Sequence, residues 1–390
     1  MHVLVSGAGI AGPTLAHGLL RAGHRVTVVE AADAPRPGGQ AIDVRGPALE
    51  VADRLGIGAA VRAARTDMRG MSIVAPDGEE LMSTTSTTLT GGPVAGPDVE
   101  ILRDDLAALL LGAAPEAEYR FGDRIMALTE HSDGVDVTLA SGRTERVDVV
   151  VGADGLHSAT RTLAGLPSDG VLRHLGSHLA VYTMPNVFDL DRWQVFCRFP
   201  DAMAGLYTAR GNTEVRVNLG WEEPGLAYDH RDLDRQRTLV GEAFAGRGWW
   251  VPRMLDGLAG AADFYLAPMT QVVLPSWHTG RVVLLGDAAW CTTPLSGQGT
   301  SLAMIGAHLL AHELGPLGAA PSPAALDEAF GRWEGTLRPV VLDDQRLAIE
   351  NAERTRAMAD ALDVDGAEAA IGGGDEQWAA TTAATRLTLP

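Results

Sequence analysis

Lysine is absent from this chain, in which all 31 residues counted as lysine or arginine are arginine. Lysine is the side chain that forms a Schiff base, supplies the P-loop cation or serves as an ammonium general acid. Because the chain has none, those three chemistries are excluded before any motif is considered.

Cysteine and long apolar runs are also scarce. The two cysteines, Cys197 and Cys291, provide neither a disulfide framework nor a zinc-binding pattern, so we expect a reducing, cytoplasmic location. No apolar run approaches the roughly 20 residues of a membrane-spanning helix. The N-terminus also lacks the basic segment and cleavage site of a signal peptide. We therefore expect no membrane span.

Positive charge is outweighed by negative charge, and the formal net charge is −19 at pH 7. A surface that neutralises phosphates is improbable at this charge, so nucleic acid is not an expected partner. The hydrophobic content of 46% and the charged content of 21% are ordinary for a globular protein. A length of 390 residues exceeds one typical core, which makes two domains the default expectation.

The N-terminal 30 residues have the pattern of a strand, a helix and a second strand. Residues 2–6 are apolar, residues 10–22 have helical periodicity, and Arg25–Glu30 is rich in β-branched residues. Buried parallel strands have this composition. The segment therefore predicts the opening of a Rossmann-type α/β fold.

Three glycines lie between the first strand and the helix. Gly7 allows a tight turn, Gly9 allows a pyrophosphate to approach the backbone, and Gly12 allows close packing of helix and strand. Glu30 ends the second strand and suits the ribose hydroxyls of an adenosine. Together they predict a dinucleotide site, but they do not separate NAD from FAD.

Two further glycine motifs follow predicted strands and favour FAD. One is Asp154-Gly155, which in isolation is an ordinary turn. The other is Gly286-Asp287, after which residues 294–299 lead into a helix. Asp287 can accept a hydrogen bond from a ribityl hydroxyl. Reduced flavin is anionic around N1 and the C2 carbonyl, and the positive end of that helix suits such an anion.

The rest of the chain divides into helical and sheet-rich stretches. Aromatic residues and methionines gather over residues 171–275, which predicts a second domain rich in strands. Helices are predicted over 47–56, 98–112, 299–314 and 323–360, and strands over 125–130, 135–139 and 146–151. A hairpin followed by a polar strand or loop is predicted over 71–95, and a short helix with a loose tail over 361–390.

The three motifs together resemble the class A flavin monooxygenases, which have the para-hydroxybenzoate hydroxylase-type fold. The segments that resemble them are GAGIAG at 7–12, VVGADGLHSATR at 150–161 and LLGDAAWCTTPLSGQGTSLAM at 284–304. The chain is most similar to the compact branch that contains the tetracycline-inactivating and polyketide-tailoring monooxygenases. One departure is Trp290, where the family usually has histidine.

The resemblance implies an α/β fold in three parts. An FAD-binding domain like that of glutathione reductase would comprise residues 1–70, 98–170 and 276–320. A sheet-rich substrate domain would comprise residues 71–97 and 171–275. A long C-terminal helix and a tail would occupy residues 321–390.

The resemblance also implies which residues bind FAD. Gly7, Gly9, Gly12 and Glu30 would hold the ADP half. Asp154 would serve FAD and NADPH together. The remaining implied contacts are Arg45 from the loop beside the mobile flavin, Arg103, Asp287, Pro294, Gly297, Gln298 and Gly299.

The chemistry implied by the family belongs to the cofactor rather than to a side chain. NADPH or NADH reduces FAD, and O₂ adds to give a C4a-hydroperoxide. This species then hydroxylates an aromatic or polycyclic small molecule, or inserts oxygen by Baeyer–Villiger chemistry. We expect a role in secondary metabolism or antibiotic modification, and a monomer or weak dimer.

The substrate side is less determined. Residues 214–221 alternate between apolar and polar side chains, so the polar ones share one face of a strand. That face either meets the substrate or is simply solvated. The predicted substrate contacts are Tyr182, Tyr207, Arg216 and Asn218.

Two other classes of flavoprotein are alternatives. Amine oxidases and flavin-dependent halogenases are families whose flavin chemistry relies on a lysine, so the absence of lysine counts against both. A flavin-bound scaffold or cyclase without redox turnover stays open, because flavin binding and flavin turnover use the same loops.

Overall fold

The structure is a computed structural model, and it describes residues 1–90, 92–359 and 387–390. The helices are α1 (Ala11–Arg21), α2 (Pro47–Arg54), α3 (Gly58–Ala63), α4 (Arg103–Ala113), α5 (Ala159–Leu163), α6 (Leu233–Phe244), α7 (Val251–Leu258), α8 (Asp287–Trp290), α9 (Gly299–Leu314) and α10 (Pro323–Ala359), with a 3-10 turn at Pro294–Ser296.

Most strands belong to two large sheets. The strands are β1 (His2–Ser6), β2 (Arg25–Glu30), β3 (Ala41–Val44), β4 (Gly70–Val74), β5 (Glu80–Thr84), β6 (Thr87–Thr88), β7 (Gly92–Pro93), β8 (Val99–Leu102), β9 (Glu118–Phe121), β10 (Ile125–His131), β11 (Gly134–Leu139), β12 (Thr144–Val147), β13 (Val149–Gly152), β14 (Leu172–Pro185), β15 (Trp193–Arg198), β16 (Ala202–Ala209), β17 (Glu214–Glu222), β18 (Tyr265–Val272), β19 (His278–Thr279) and β20 (Val282–Leu284).

The first large sheet has the strand order β19-β20-β13-β1-β2-β9. β1 pairs in parallel with β2 and β13, and β13 pairs in parallel with β20. One face packs against α1 and α9, and the other against the small sheet β10-β11-β12. Because parallel strands end at one edge, the loops after β1, β13 and β20 emerge side by side.

The second large sheet has the order β18-β14-β17-β16-β15-β4-β5. Its back face packs against α6 and α7 through residues such as Val217, Leu219 and Phe244. Its front face is turned toward the loops of the first sheet. The two sheets use different parts of the chain, and on that basis we propose the division into domains stated above.

The structure confirms most of the predicted elements near the motifs, including the strands at 2–6 and Arg25–Glu30 and the helix at 299–314. The predicted helix over 98–112 is wrong in its first turn. Val99–Leu102 is a strand, because it pairs with Ala41–Val44 and is buried throughout. A short and mostly apolar run does not distinguish a strand from a helix.

The predicted strand at 146–151 is two strands. The break is at Asp148, whose carboxylate accepts a hydrogen bond of 2.6 Å from the His2 backbone N–H. β12 before the break belongs to the small sheet, and β13 after it joins the first large sheet.

The C-terminal helix α10 is continuous from Pro323 to Ala359, although it contains Pro339. The prediction for 361–390 falls outside the described residues, apart from the last four. No helix in the described ranges is long and apolar enough to cross a membrane.

Candidate FAD site

The first two glycine motifs are in direct contact. Gly7 has φ +112°, and a Cβ atom there would lie 2.3 Å from the Ala153 carbonyl oxygen. A Cβ atom on Gly12 would lie 2.0 Å from the Gly7 carbonyl oxygen. Both positions therefore require glycine. By contrast, a Cβ atom on Gly9 would meet nothing within 4 Å, so the backbone there faces open space.

The third motif joins the other two through the backbone. The Leu285 N–H donates to the Gly152 carbonyl at 2.8 Å, and the Ala153 N–H donates to the Ser6 carbonyl at 2.7 Å. Gly286 packs against α1 and α9, since an added Cβ atom would lie 3.4 Å from the Cβ of Ala11 and 3.9 Å from that of Ala303. The three turns thus border one cleft.

Two helices begin at this cleft without a cap. Neither α1 nor α9 has a side-chain hydrogen bond at its N-cap or an acidic residue in its first turn, as far as the described residues show. The first N–H groups of a helix have no partner inside it and carry partial positive charge. An anionic ligand satisfies such groups, and this arrangement fits the pyrophosphate and the flavin of FAD.

Glu30 is fixed at the edge of the cleft by two backbone donors. Its Oε2 accepts from the Ala8 N–H and its Oε1 from the Ala32 N–H, each at 2.9 Å. A carboxylate oxygen has a second acceptor site, so both oxygens can still accept from hydroxyl groups. This geometry suits the ribose of the ADP half.

Asp287 and Tyr265 face into the cleft rather than the outer surface. Both side chains are exposed, with Tyr265 at 45%, yet both are closely surrounded by protein. Burial raises the pKa of Tyr265 to about 12. Burial also raises the pKa of Asp287, while the positive charge of the nearby Arg103 lowers it. Asp287, Tyr265 and Arg103 are therefore close enough to one another to interact electrostatically.

Arg103 is half-buried at the first position of α4. Its side chain approaches Gly39, where a Cβ atom would lie 3.4 Å from the Arg103 Cβ. Within the described residues, no carboxylate lies within salt-bridge distance of its guanidinium. Its positive charge acts on Asp287 and Tyr265 at the border of the cleft.

The 291–298 loop follows α8 and leads into α9. Pro294 is exposed, and Gly297 and Gly299 are half-buried, so these three residues can face a flavin ring. Gln298 differs, because its side chain is completely buried and its amide has no hydrogen-bond partner in the part of the chain described. Only its backbone is therefore placed for contact with a ring.

The unusual Trp290 lies in the core and not in the cleft. Its ring centroid is 4.7 Å from that of Trp277 and 5.7 Å from that of Trp333. The neighbouring Cys291 is buried as well, and burial raises its thiol pKa well above the ordinary value. Tryptophan at position 290 thus extends a buried aromatic cluster, and Cys291 stays protonated.

Asp154 organises its own loop. Its carboxylate accepts from the Ser158 hydroxyl at 2.5 Å and from the N–H and hydroxyl of Thr160 at 2.9 and 2.8 Å. Arg161 donates to the carbonyls of Leu156 and Ala288, which ties this loop to the third motif. The structure gives Asp154 a supporting position.

Arg45 does not face the cleft, contrary to the expectation that it contacts FAD. Its buried guanidinium lies 2.8 Å from Asp43 and 3.9 Å from Asp98. Glu100 belongs to the same cluster, and burial raises its pKa to about 8. The Arg45 guanidinium is thus paired with carboxylates inside the protein, and its backbone N–H donates to the buried Ser301 hydroxyl of α9 at 3.0 Å.

Tyr207, Arg216 and Asn218 share the front face of the second sheet, as the alternation predicts. The Tyr207 hydroxyl accepts from the Ala41 N–H at 2.6 Å. The Arg216 Nε donates to the Gly39 carbonyl at 3.0 Å. Both side chains are buried, so they hold the 38–41 loop against the sheet instead of pointing into open space.

Tyr182 lies on the opposite face, and its predicted place beside the other three is wrong. Its hydroxyl donates to the Met254 carbonyl at 2.7 Å in the core of the second sheet. β14 and β16 both pair with β17, so Tyr182 and Tyr207 do lie on the strands that neighbour Arg216 and Asn218, as expected, but Tyr182 is opposite Val217 on the core face. The aromatic content of the segment gave no information about which face each ring occupies.

A group of basic side chains lies beside the second motif. The rings of His157 and His230 stack with centroids 4.1 Å apart. Burial and then the charges of His230, Arg161, Arg231 and His174 lower the pKa of His157 to about 4. No cluster of metal ligands occurs among the described residues. His157 is therefore uncharged at pH 7, and the positive charge of this basic patch comes from residues such as Arg161 and Arg231.

Two cavities lie away from the cleft. Their volumes are 200 and 610 Å³, and both border residues 65–68. The larger extends along α4 toward the turn between β16 and β17. Neither includes a residue of the glycine motifs, so neither is the site that these motifs form.

Comparison with known proteins agrees with this geometry. A family model described as an FAD binding domain matches residues 1–214 and 258–327. A flavin-dependent monooxygenase from an unknown prokaryotic organism is 35% identical over 89% of this chain and 88% of its own. The solved structure of tetracycline destructase Tet(51) has a TM-score of 0.88 at 28% identity, covering 100% of this chain and 99% of its own. That of Tet(55) has a TM-score of 0.84 at 32% identity, covering 100% and 98%.

Proposed function

Because the chain belongs to the class A flavin-dependent monooxygenases and binds FAD, we propose that it uses NADPH or NADH and O₂ to oxygenate an aromatic or polycyclic small molecule. The observation that supports this most is the convergence of three glycine turns and two uncapped helix N-termini on one cleft. Antibiotic modification or secondary metabolism is the proposed setting.

We assign the residues of the cleft as follows. Gly7, Gly9 and the start of α1 hold the pyrophosphate, and Glu30 holds the adenosine ribose. Asp287 accepts from the ribityl chain, and Arg103 supplies positive charge beside it. Pro294, Gly297 and Gly299 line the isoalloxazine, and the first turn of α9 stabilises negative charge there. Gln298 contributes through its backbone, and Asp154 supports its loop.

FAD, once bound, supplies electron transfer and oxygen activation, so the protein needs no acid–base pair of its own. The chain contributes a cleft that excludes water and a helix N-terminus that favours an anion. The two sheets place the substrate between them, with the 38–41 loop fixed by Tyr207 and Arg216.

The basic patch beside the second motif supports binding of a phosphorylated nicotinamide cofactor. Replacement of Arg231 by glutamate is expected to raise the KM for NADPH and to leave kcat nearly unchanged, because the patch acts in binding. The control is the same charge reversal on α10, Arg346→Glu, at a residue that pairs with Asp343. Equal KM values for the two variants would remove the patch from the reductant site.

The substrate class is supported by the similarity to two tetracycline destructases. The test is to add tetracyclines, anthraquinones and phenols to the FAD-loaded protein and to follow NADPH oxidation, O₂ uptake and product mass. A true substrate should accelerate both consumptions and gain one oxygen atom. A protein that retains FAD but never oxidises NADPH would instead be a non-redox scaffold or cyclase.

A further inference from the structure

The C-terminal helix α10 holds the 291–298 loop through a buried glutamine. The side-chain amide of Gln345 donates to three carbonyls, those of Val272 at 2.8 Å, Trp290 at 3.3 Å and Cys291 at 3.4 Å. The backbone carbonyl of Gln345 accepts a hydrogen bond of 2.6 Å from the Gln271 side-chain amide. Gln345 therefore connects α10 to the end of α8 and to the second sheet.

A second amide on the same helix reaches further along the loop. The Asn351 side chain donates to the Leu295 carbonyl at 2.9 Å. Asn351 and Gln345 are each only 6% exposed. The two residues are six positions apart on α10, and they hydrogen-bond to the start of the loop at Cys291 and to its middle at Leu295.

The loop needs external support because its backbone is strained. Thr293 has φ +72° and ψ 157°, a region that is essentially restricted to glycine. Such a conformation is unfavourable in itself and persists only where the surroundings determine it. Inside the loop, the restraints are the hydroxyl contact between Thr292 and Ser296 at 2.8 Å and the bond from the Leu295 N–H to the Thr293 hydroxyl at 3.2 Å.

We propose that Gln345 and Asn351 are positioning residues for FAD, which hold the 291–298 loop and the first turn of α9 against the isoalloxazine. This rests on the proposed function, which puts the flavin ring beside Pro294, Gly297 and Gly299. Neither residue touches the cofactor. Their effect is transmitted by the loop, which continues directly into α9 at Gly299.

Neutral amides suit this task. An amide donates to a carbonyl without adding net charge, whereas a guanidinium would add a full positive charge behind the loop. With amides, the positive potential at the start of α9 comes from its own backbone. The buried position also makes each bond costly to lose, because the carbonyl left behind has no water to replace the donor.

The test compares Gln345→Leu and Asn351→Leu with a matched control on the same helix. Trp333→Phe removes one buried hydrogen bond from α10 to α9, that from the Trp333 indole N–H to the Gly306 carbonyl at 2.9 Å. It keeps an aromatic ring beside Trp290 and removes no hydrogen bond to the 291–298 loop. The readouts are the Tm of the apoprotein and the Kd for FAD, measured by quenching of flavin fluorescence. All three variants should lose Tm, but only the two loop variants should raise the Kd, about tenfold.

A fourth variant adds a pH profile. Gln345→Glu keeps the shape, but its carboxylate repels the three carbonyls and can donate only when protonated. Its affinity for FAD should therefore recover as the pH falls, whereas that of Gln345→Leu should not. Absence of this recovery counts against the positioning role.

The results separate this proposal from the one on which it rests. An equal rise in the Kd for Trp333→Phe and Gln345→Leu, or no rise in Gln345→Leu while Gly297→Val loses FAD, overturns the positioning role alone. Unchanged FAD affinity in Gly297→Val overturns the placement of the flavin beside the loop, and the positioning role with it.

Discussion

At the scale of single residues, Asp287 is the clearest test of the cleft. Its carboxyl is crowded by protein, and burial raises its pKa, so it does not stabilise the empty fold. Asp287→Ala should therefore abolish FAD retention without lowering the Tm of the apoprotein. The ratio of flavin to protein absorbance after purification measures this.

The exposed Asp256 offers a matched control on another element. Asp256→Ala should retain a normal flavin content. Normal flavin content in Asp287→Ala would refute the assignment of Asp287 to the ribityl chain.

Glu100 makes a prediction about pH. Its pKa is raised from 4.5 to about 8 by burial and by Asp43, so the folded protein holds this proton more strongly than the unfolded chain. Stability should therefore fall as pH rises through this range, and Glu100→Gln should escape that fall. Tm measured across pH about 4.5 to about 8 tests this, with the exposed Glu116→Gln as the control.

The informative quantity is the difference in Tm between each variant and the wild type at each pH. We expect Glu100→Gln to gain Tm relative to the wild type as pH rises, and Glu116→Gln to follow the wild-type curve. A constant difference between Glu100→Gln and the wild type would mean that folding does not raise the pKa of Glu100.

Residues differ in how far the sequence alone reveals them. Gly7 and Gly12 were predictable, because their spacing encodes a local backbone shape that a Cβ atom would obstruct. Arg45 and Tyr182 were not, because the partners that remove them from the cleft, Asp98 and Met254, are brought near only by the tertiary fold. Tyr265 and Gln345 had no motif that could identify them.

At the scale of elements, the 38–41 loop is fixed by the second sheet. Tyr207→Phe removes the acceptor of the Ala41 N–H and should cost about 1 kcal/mol of unfolding free energy. Hydrogen exchange of the loop should accelerate, which mass spectrometry of its peptides would detect.

Tyr182→Phe is the matched control, since it loses a buried hydroxyl bond to Met254 on the opposite face. The two variants should lose similar stability, but exchange in the 38–41 loop should change in Tyr207→Phe alone. Equal exchange in both would mean that the Tyr207 hydroxyl does not restrain the loop.

The elements themselves were predicted best where their pattern was local. α9 and the first strands follow from hydrophobic periodicity, which is a property of neighbouring residues. Val99–Leu102 was mistaken for helix because its partner strand, Ala41–Val44, lies more than 50 positions earlier, and pairing at that distance leaves no local mark.

At the scale of the whole molecule, the order of the three glycine motifs determines the site. β1, β13 and β20 are far apart in sequence but adjacent in the sheet, so their turns form one cleft. α9 packs between α1 and α10, and it therefore couples the ADP side of the cleft to the 291–298 loop. Binding of FAD should accordingly stabilise the protein through both halves of the ligand.

This predicts a difference between FAD and riboflavin, which lacks the ADP half. A ligand that binds only the folded protein stabilises it by about 2.7 kcal/mol at one hundred times its Kd, and each further tenfold adds about 1.4 kcal/mol. The Tm should rise with FAD concentration in this way. Riboflavin at the same concentrations should have a much smaller effect, because it makes no contact with Gly7, Gly9 or Glu30. Equal shifts for the two ligands would show that the first glycine motif does not bind the ADP half, since its contacts would then add nothing to the affinity.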